Sequence, residues 1–251
     1  MRFHFFRPLH GWREFIHEIV IVVLGVLLAL AGAQAVQDFH QRAELRDAED
    51  AMTSELRDDD LPQAFTRAAV VNCYERQLHA VEAAVASGDR ARFVTLANAY
   101  RPVFRTWDQE AWKAALASQV LVQSGPKRMI SWSTPYILIP LLTDNAKAEA
   151  DGTAQLRARL SGQGPMSDSQ RDHLFEVISL LRRFNDGMNV SSLVFMYTAS
   201  QRGLALSAEQ KRGLLREARE KYGACVHEPA PDRLNAKSQL NYLPPGRTGP
   251  D

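Results

Sequence analysis

The sequence predicts an all-α protein: an N-terminal transmembrane helix that continues into a stalk, followed by a helical-bundle soluble domain. Three observations carry this. Apolar residues recur at helical spacing through most of the 251 residues. Thr106 with Gln109, Ser167 with Gln170 and Ser207 with Gln210 have the Ser/Thr-x-x-Gln form of capping boxes that open helices. No alternating apolar–polar pattern with Asn-Gly or Asp-Gly hairpin turns occurs, so strands are not expected. With 45% hydrophobic and 24% charged residues, the chain can bury a sizeable core in one domain or at most two. A net charge of +1, with no Lys/Arg run interleaved with aromatics, argues against nucleic acid as a partner.

The first element is the apolar segment Ile19 to Val36, 18 residues with no charge and one polar side chain, Gln34. As a helix it spans about 27 Å, close to the ~30 Å hydrocarbon core of a bilayer. A helix packed on a soluble core shows a polar stripe, whereas this one is apolar all round. A cleavable signal peptide is the rival reading, because Ala31-Gly32-Ala33 and Ala33-Gln34-Ala35 have the form of cleavage sites. Against cleavage, the preceding segment is long and carries Glu14 and Glu18, and no Gly or Pro interrupts Asp38 to Asp60. An uncleaved signal anchor over 19–36 is the favoured expectation.

Arg2, Arg7 and Arg13 precede the span, while Arg42 and Arg46 follow it. The slight positive-inside bias predicts a short cytoplasmic tail over 1–18. The remainder is then extracytoplasmic, and periplasmic if the cell is bacterial, and the lipid bilayer is the expected partner of the anchor. Gly25, Ala29 and Ala33 recur every fourth residue and form a small-residue face on which membrane helices can approach closely. That face admits a homodimer or docking onto a larger membrane complex, although Gly and Ala are also common in anchors.

Glu18-Ile19, Gly25 and Ala29-Leu30, with aliphatics between them, resemble the anchor of a family of uncharacterised single-pass bacterial membrane proteins. The family pattern runs Gly-Glu-Ile, a run of Leu, Ile or Val, Gly-Ile, then Ala-Leu and a Trp. His17 stands where the family has its Gly, and Ala35 near its Trp. Further on, "TWDQEAWKAALAS" and Tyr136 are similar to the family's aromatic, Leu/Ala turn and downstream Tyr. The resemblance implies a membrane-anchored helical domain and brings no catalytic residue with it.

Residues 37–60 read as a polar, acidic helical stalk with a thin stripe at Leu45, Ala48, Met52 and Leu56. It is expected to end in a solvated terminus at Asp58-Asp59-Asp60, ahead of Pro62. The soluble domain is placed at 61–227. Its first clear helix shows an apolar face at Val71, Tyr74, Leu78, Val81 and Val85, closed by Gly88. Pro135 to Leu142 has strand-like Ile content but continues into a helix-favouring stretch. After Ser167 the positions Leu174, Ile178, Leu181, Met188 and Phe195 keep helical spacing, with Asp186-Gly187 as a candidate kink. The tail over 228–251 is punctuated by Pro229, Pro231, Pro244, Pro245 and Pro250 and reads as a loosely ordered or docked extension.

Motifs for chemistry are sparse. His4, His10, His17, His40, His79, His173 and His227 are scattered and never at zinc spacing. Phosphate loop, dinucleotide fingerprint and nucleophile elbow are absent. The triplet Asp58-Asp59-Asp60 could attract a hard cation, but consecutive residues on a helix point in different directions. Trp107 and Trp112 read as core and staple rather than as a stacking platform. No catalytic, cofactor-binding or metal-binding residue is therefore singled out, and no cofactor is expected. Cys73 and Cys225 are the two cysteines of the chain, both on apolar faces, and in an oxidising compartment they should form a disulfide. Two function classes stay open: a non-enzymatic partner-binding or accessory protein, favoured by the absence of motifs, and an anchored enzyme or ligand sensor.

Overall fold

The computed structural model describes residues 11–102, 106–159 and 164–230, with the backbone alone for 13 and 14. Every regular element among them is a helix. Helix α1, Trp12–Ser54, runs for 43 residues, about 65 Å. From Ile19 to Val36 every side chain is exposed, so this apolar stretch has no partner among the described residues. It is the one helix among them long and apolar enough to cross a membrane.

Beyond the apolar stretch α1 acquires an inner face. Leu45 and Ala48 are partly buried, and Met52 and Leu56 are fully buried, at steps of three to four residues. The next residue at that spacing is Asp60. It is buried too, whereas Asp58 and Asp59 are exposed, which corrects the expectation of a solvated terminus. Nor does the helix stop here. Glu55–Asp60 form a π-turn, in which Leu61 N–H donates to the Leu56 carbonyl five residues back. The chain then continues as α2, Leu61–Ala69, with Pro62 in its first turn. Pro62 has no N–H to give the preceding turn, and the wider turn absorbs that gap without breaking the helix. The extra residue also moves the inward register forward by one, so Leu61, Ala64, Phe65 and Ala68 become core.

Helix α3, Val71–Ala86, buries Val71, Tyr74, Leu78, Val81 and Val85, the predicted face, and Gly88 follows at φ 71°. Helix α4, Arg90–Ala99, is capped by Asp89, which accepts from Arg92 N–H at 3.0 Å. Helices α5 (Glu110–Ala117), α6 (Val120–Gln123) and α7 (Pro126–Tyr136) form a hairpin along α1. Its contacts fix its course. Ala111 N–H donates to Glu55 at 2.9 Å, Arg128 Nε to Glu49 at 2.6 Å, and Tyr136 hydroxyl to Glu55 at 2.8 Å. Between these, Val120 and Gln123 reach back as far as Asp38. The hairpin thus descends α1 towards its apolar half and climbs back.

Helix α8, Leu138–Ala158, packs on α9, Asp168–Ser200, which also carries α2 and α3 and is the centre of the bundle. The α8–α9 approach needs Gly152, since a Cβ there would lie 2.8 Å from Leu181 Cδ2. Helix α9 runs unbroken through Asp186-Gly187. Helix α10, Ala208–Tyr222, packs on α2. The capping boxes at Ser167 and Ser207 are both present with both hydrogen bonds. That at Thr106 is not: α5 starts at Glu110 without a side-chain cap, and Glu55 on the neighbouring π-turn takes the Ala111 N–H instead. The tail lies outside the described residues from 231 onward.

Cys225, in a 3-10 turn after α10, is joined to Cys73 on α3, with Cα atoms 5.1 Å apart and a sequence separation of 152. Beside it His227 N–H donates to the Ala69 carbonyl at 3.2 Å, and the Tyr74 and Tyr222 hydroxyls lie 2.9 Å apart. The bond closes nearly the whole soluble domain into one loop. Replacing both cysteines by Ala should lower stability by about 2–4 kcal/mol, on the order of 5–15 °C in the melting temperature. Thermal scans of the protein with and without reductant measure this, and an equal melting temperature would exclude the bond.

Candidate functional site: a buried charge network and an apolar groove

The core holds a network that the sequence does not advertise. Arg67 on α2 is buried, and its Nη2 donates to Glu149 on α8 at 2.8 Å and to Asn185 on α9 at 3.0 Å. Asn185 Nδ2 in turn donates to the Val71 carbonyl at 3.2 Å, and the guanidinium lies over the Tyr74 ring at 4.9 Å. Four helices therefore meet on one cation. Burial pushes the Glu149 carboxyl up, and Arg67 beside it pulls the other way. Tyr100, close by and edge-on to Tyr74, has its phenol pushed up by burial and by the Glu149 charge. A cavity of about 30 Å³ adjoins Arg67, Gln63, Trp107 and Met188. It has room for a water or two and for no larger ligand. Arg67 Nε and Nη1, Gln63 Oε1 and Trp107 Nε1 have no protein partner among the described residues. These are the polar contacts that such waters would satisfy.

A second polar cluster sits at the π-turn. Burial raises the Asp60 carboxyl to about 8, against a hydrogen bond from Asp108 N–H at 3.4 Å and with the Glu55, Asp108 and Asp59 charges adding to the rise. Desolvation, together with the hydrogen bond to Glu55, also pushes the Tyr136 phenol up. Asp60 is neutral at pH 7, and a neutral carboxyl is what its buried position allows.

The residues singled out in the sequence mostly take structural places. Trp107 is buried edge-on to Phe195, and Trp112 stacks on Tyr136 at 5.2 Å. His79 lies exposed among Glu75, Glu82 and Arg182, and His227 stands 3.4 Å from Asn72. His17 is exposed on α1, while His4 and His10 lie outside the described residues. Gly25, Ala29 and Ala33 line an exposed side of α1, with open space above Gly25. No group of three His, Cys, Asp or Glu placed to hold a metal ion occurs among the described residues.

One surface feature has the size of a binding site. Between α2, the end of α9 and the start of α10 lies a groove of about 510 Å³. Its floor is Leu61, Phe65, Met196, Leu204 and Leu206, its rim carries Lys211 and Glu228, and Pro229 forms part of one wall. Ligand and peptide sites typically enclose about 300–1,000 Å³ with apolar walls and few polar groups. The groove exists because α9 ends at Ser200 and the chain turns through Gly203, at φ 73°, before α10 begins. That turn sets Leu204 and Leu206 opposite α2. Sequence reading missed it, since its floor residues come from three separate segments. Protein-family models, curated proteins and solved structures give no match to this chain.

The Asp60 carboxyl makes a signed prediction. Between about pH 4 and pH 8 the unfolded chain has released this proton while the folded chain keeps it, so stability falls as pH rises through that window. Asp60→Asn removes the term. Relative to the wild type, the variant should gain at least about 1 kcal/mol at pH 8, roughly 2–4 °C, and little at pH 4. Melting curves of both proteins across this range check it, with the difference between them as the readout. A difference that does not change with pH would mean that Asp60 is ionised in the fold.

Proposed function

We propose that the protein is a single-pass membrane protein with its N-terminus in the cytoplasm. Its extracytoplasmic helical domain binds a partner protein through the groove between α2, α9 and α10, and it is not an enzyme. The groove carries this reading. Its floor is apolar, its rim holds one cation and one anion, and the hydroxyl of Ser200 in its lining is turned to the Tyr197 carbonyl, to which it donates at 2.7 Å. The polar cavity at Arg67 has the titratable groups that an enzyme site needs but only the volume of a water or two. An extended apolar segment of another protein, flanked by charges, fits the groove best.

Several observations support the placement. Helix α1 continues past Ala31-Gly32-Ala33 and Ala33-Gln34-Ala35 without a break and buries Met52 and Leu56 in the domain, as an uncleaved signal anchor requires. The Cys73–Cys225 bond favours an oxidising compartment for the domain. The arginines before the span favour a cytoplasmic N-terminus. The resemblance of the anchor to single-pass bacterial membrane proteins agrees with this. The exposed face at Gly25, Ala29 and Ala33 leaves room for self-association or for a larger membrane complex.

Two measurements test the proposal. Protease added to spheroplasts should remove the region from 40 to 251; full protection of that region would reverse the orientation. Affinity purification of the tagged full chain from detergent-solubilised membranes should recover a protein partner at fixed stoichiometry. Ala205→Trp, an exposed position in the groove, should abolish that recovery without changing the melting temperature, while Ala91→Trp on α4 should not. Undiminished recovery with Ala205→Trp would remove the groove from the proposal.

A further inference from the structure

We propose that the tip of the α5–α7 hairpin lies in the outer headgroup layer of the bilayer, with Val122 entering the interface. This rests on the reading of α1 as the membrane span. The level of the tip follows from its neighbours on α1. A hollow of about 280 Å³ between hairpin and helix is lined by Asp38, Gln41, Arg42 and Leu45 on one side and by Val120, Gln123 and Ser124 on the other. If the hydrocarbon ends at Val36, Asp38 stands about 3 Å above it, Gln41 about 7 Å and Leu45 about 13 Å, at about 1.5 Å per residue. The headgroup layer is roughly 5–7 Å deep on each side. The hollow therefore begins inside that layer, and the tip beside it reaches the layer's outer part.

The side chains at this level agree. Val122 is 55% exposed at the turn, although Val120 and Leu121 beside it are buried. Phe39, next to Asp38 on α1, is 70% exposed. At the opposite end Trp12 is 76% exposed, and the 27 steps from Trp12 to Phe39 cover about 40 Å, the thickness of a bilayer with its headgroups. Aromatic side chains at both ends of such a span take interfacial positions. Charge points the same way. From 110 to 143 the hairpin and its exit hold one acid, Glu110, which pairs with Lys113, while Arg128 pairs with Glu49 on α1 and Lys127 stands exposed beside the tip. Residues 38–60 of α1 and the π-turn carry nine acids against three arginines, so the segment turned towards the lipid is the one without excess acid. An anionic outer surface attracts a cation such as Lys127 within a Debye length, about 8–10 Å.

The test uses the full chain in vesicles of phosphatidylcholine and phosphatidylglycerol that contain a lipid with a nitroxide quencher near its headgroup. The native cysteines are joined to each other, so Val122→Cys can be labelled alone with an environment-sensitive fluorophore. Leu28→Cys, in the apolar stretch, and Ile137→Cys, exposed beside Tyr136 at the level of Glu55, are labelled in parallel with quenchers at matching depths. The expected result is a blue-shifted label at 122 that loses more than half its fluorescence to the shallow quencher, with the label at 137 unaffected. A quenched label at 28 with an unquenched label at 122 would overturn the proposal and leave the span intact. An unquenched label at 28 would remove the span itself and the proposal with it. Equal quenching at 122 and 137 would mean that the domain lies flat on the lipid, which also overturns the placement.

Discussion

The architecture depends on one constraint: the membrane-length helix and the core of the domain share a continuous backbone. Met52 at the end of α1 and Leu56 in the π-turn that continues it are fully buried members of the bundle. A helix transmits axial position and rotation rigidly over its length, so the domain is not tethered but held. The hairpin reinforces this from outside, with Arg128 and Trp132 both donating to Glu49 and Tyr136 reaching the Met52 carbonyl. The Glu49 carboxyl, which burial alone would raise, is held below its usual range by these donors. A flexible linker at 37–60 would let the domain tumble; this arrangement fixes how the domain sits on the apolar helix.

The π-turn is what lets two registers coexist on one helix. The α1 face steps by four to Leu56, and the α2 face starts at Leu61, five on. A regular helix would satisfy one set and turn the other sideways by about 100°. Inserting one residue keeps both inward, and the cost falls on Asp60, which is carried into the core as a neutral acid. Arg67, a further seven residues along, meets Glu149 and Asn185 there. Such a buried pair adds little net stability, since desolvation offsets much of the attraction, yet removing one partner alone costs several kcal/mol. Its effect is to specify which helices meet, because only one arrangement of α2, α8 and α9 lets Arg67 find both of its partners.

How far the sequence disclosed this depends on the range of the interactions. The α3 face, the caps at Ser167 and Ser207 and the helical spacing after Ser167 were legible because each is decided within a turn or two of backbone. Cys73 and Cys225 were legible for a different reason: two cysteines on apolar faces leave one pairing. Thr106 shows the limit, because Glu55 on the π-turn, 56 residues before the Ala111 N–H that it accepts, supplies what a local cap would have. Asp60 could have been found by extending the stripe of Met52 and Leu56 by one more step; reading it as the third of three acids concealed its direction. Arg67, Glu149 and Asn185 gave only a weak signal, single polar residues at core positions of otherwise apolar faces. The groove gave none, being made by a turn at Gly203.

The same rigid helix also bears on what can occupy the groove. If α1 spans a bilayer as proposed, with the hydrocarbon ending at Val36, Leu61 lies 25 residues beyond, which would set the groove floor about 37 Å above the hydrocarbon along the helix axis. An acyl chain of a bilayer lipid cannot reach that height without leaving the membrane, and leaving it would forfeit about 0.8 kcal/mol for every CH₂ group. On the proposed placement, an apolar occupant at that level would come from outside the bilayer. For a protein segment seated there, Lys211 and Glu228 on the rim would act on the polar residues that flank it, and a pair of opposite charges would select the direction in which it lies.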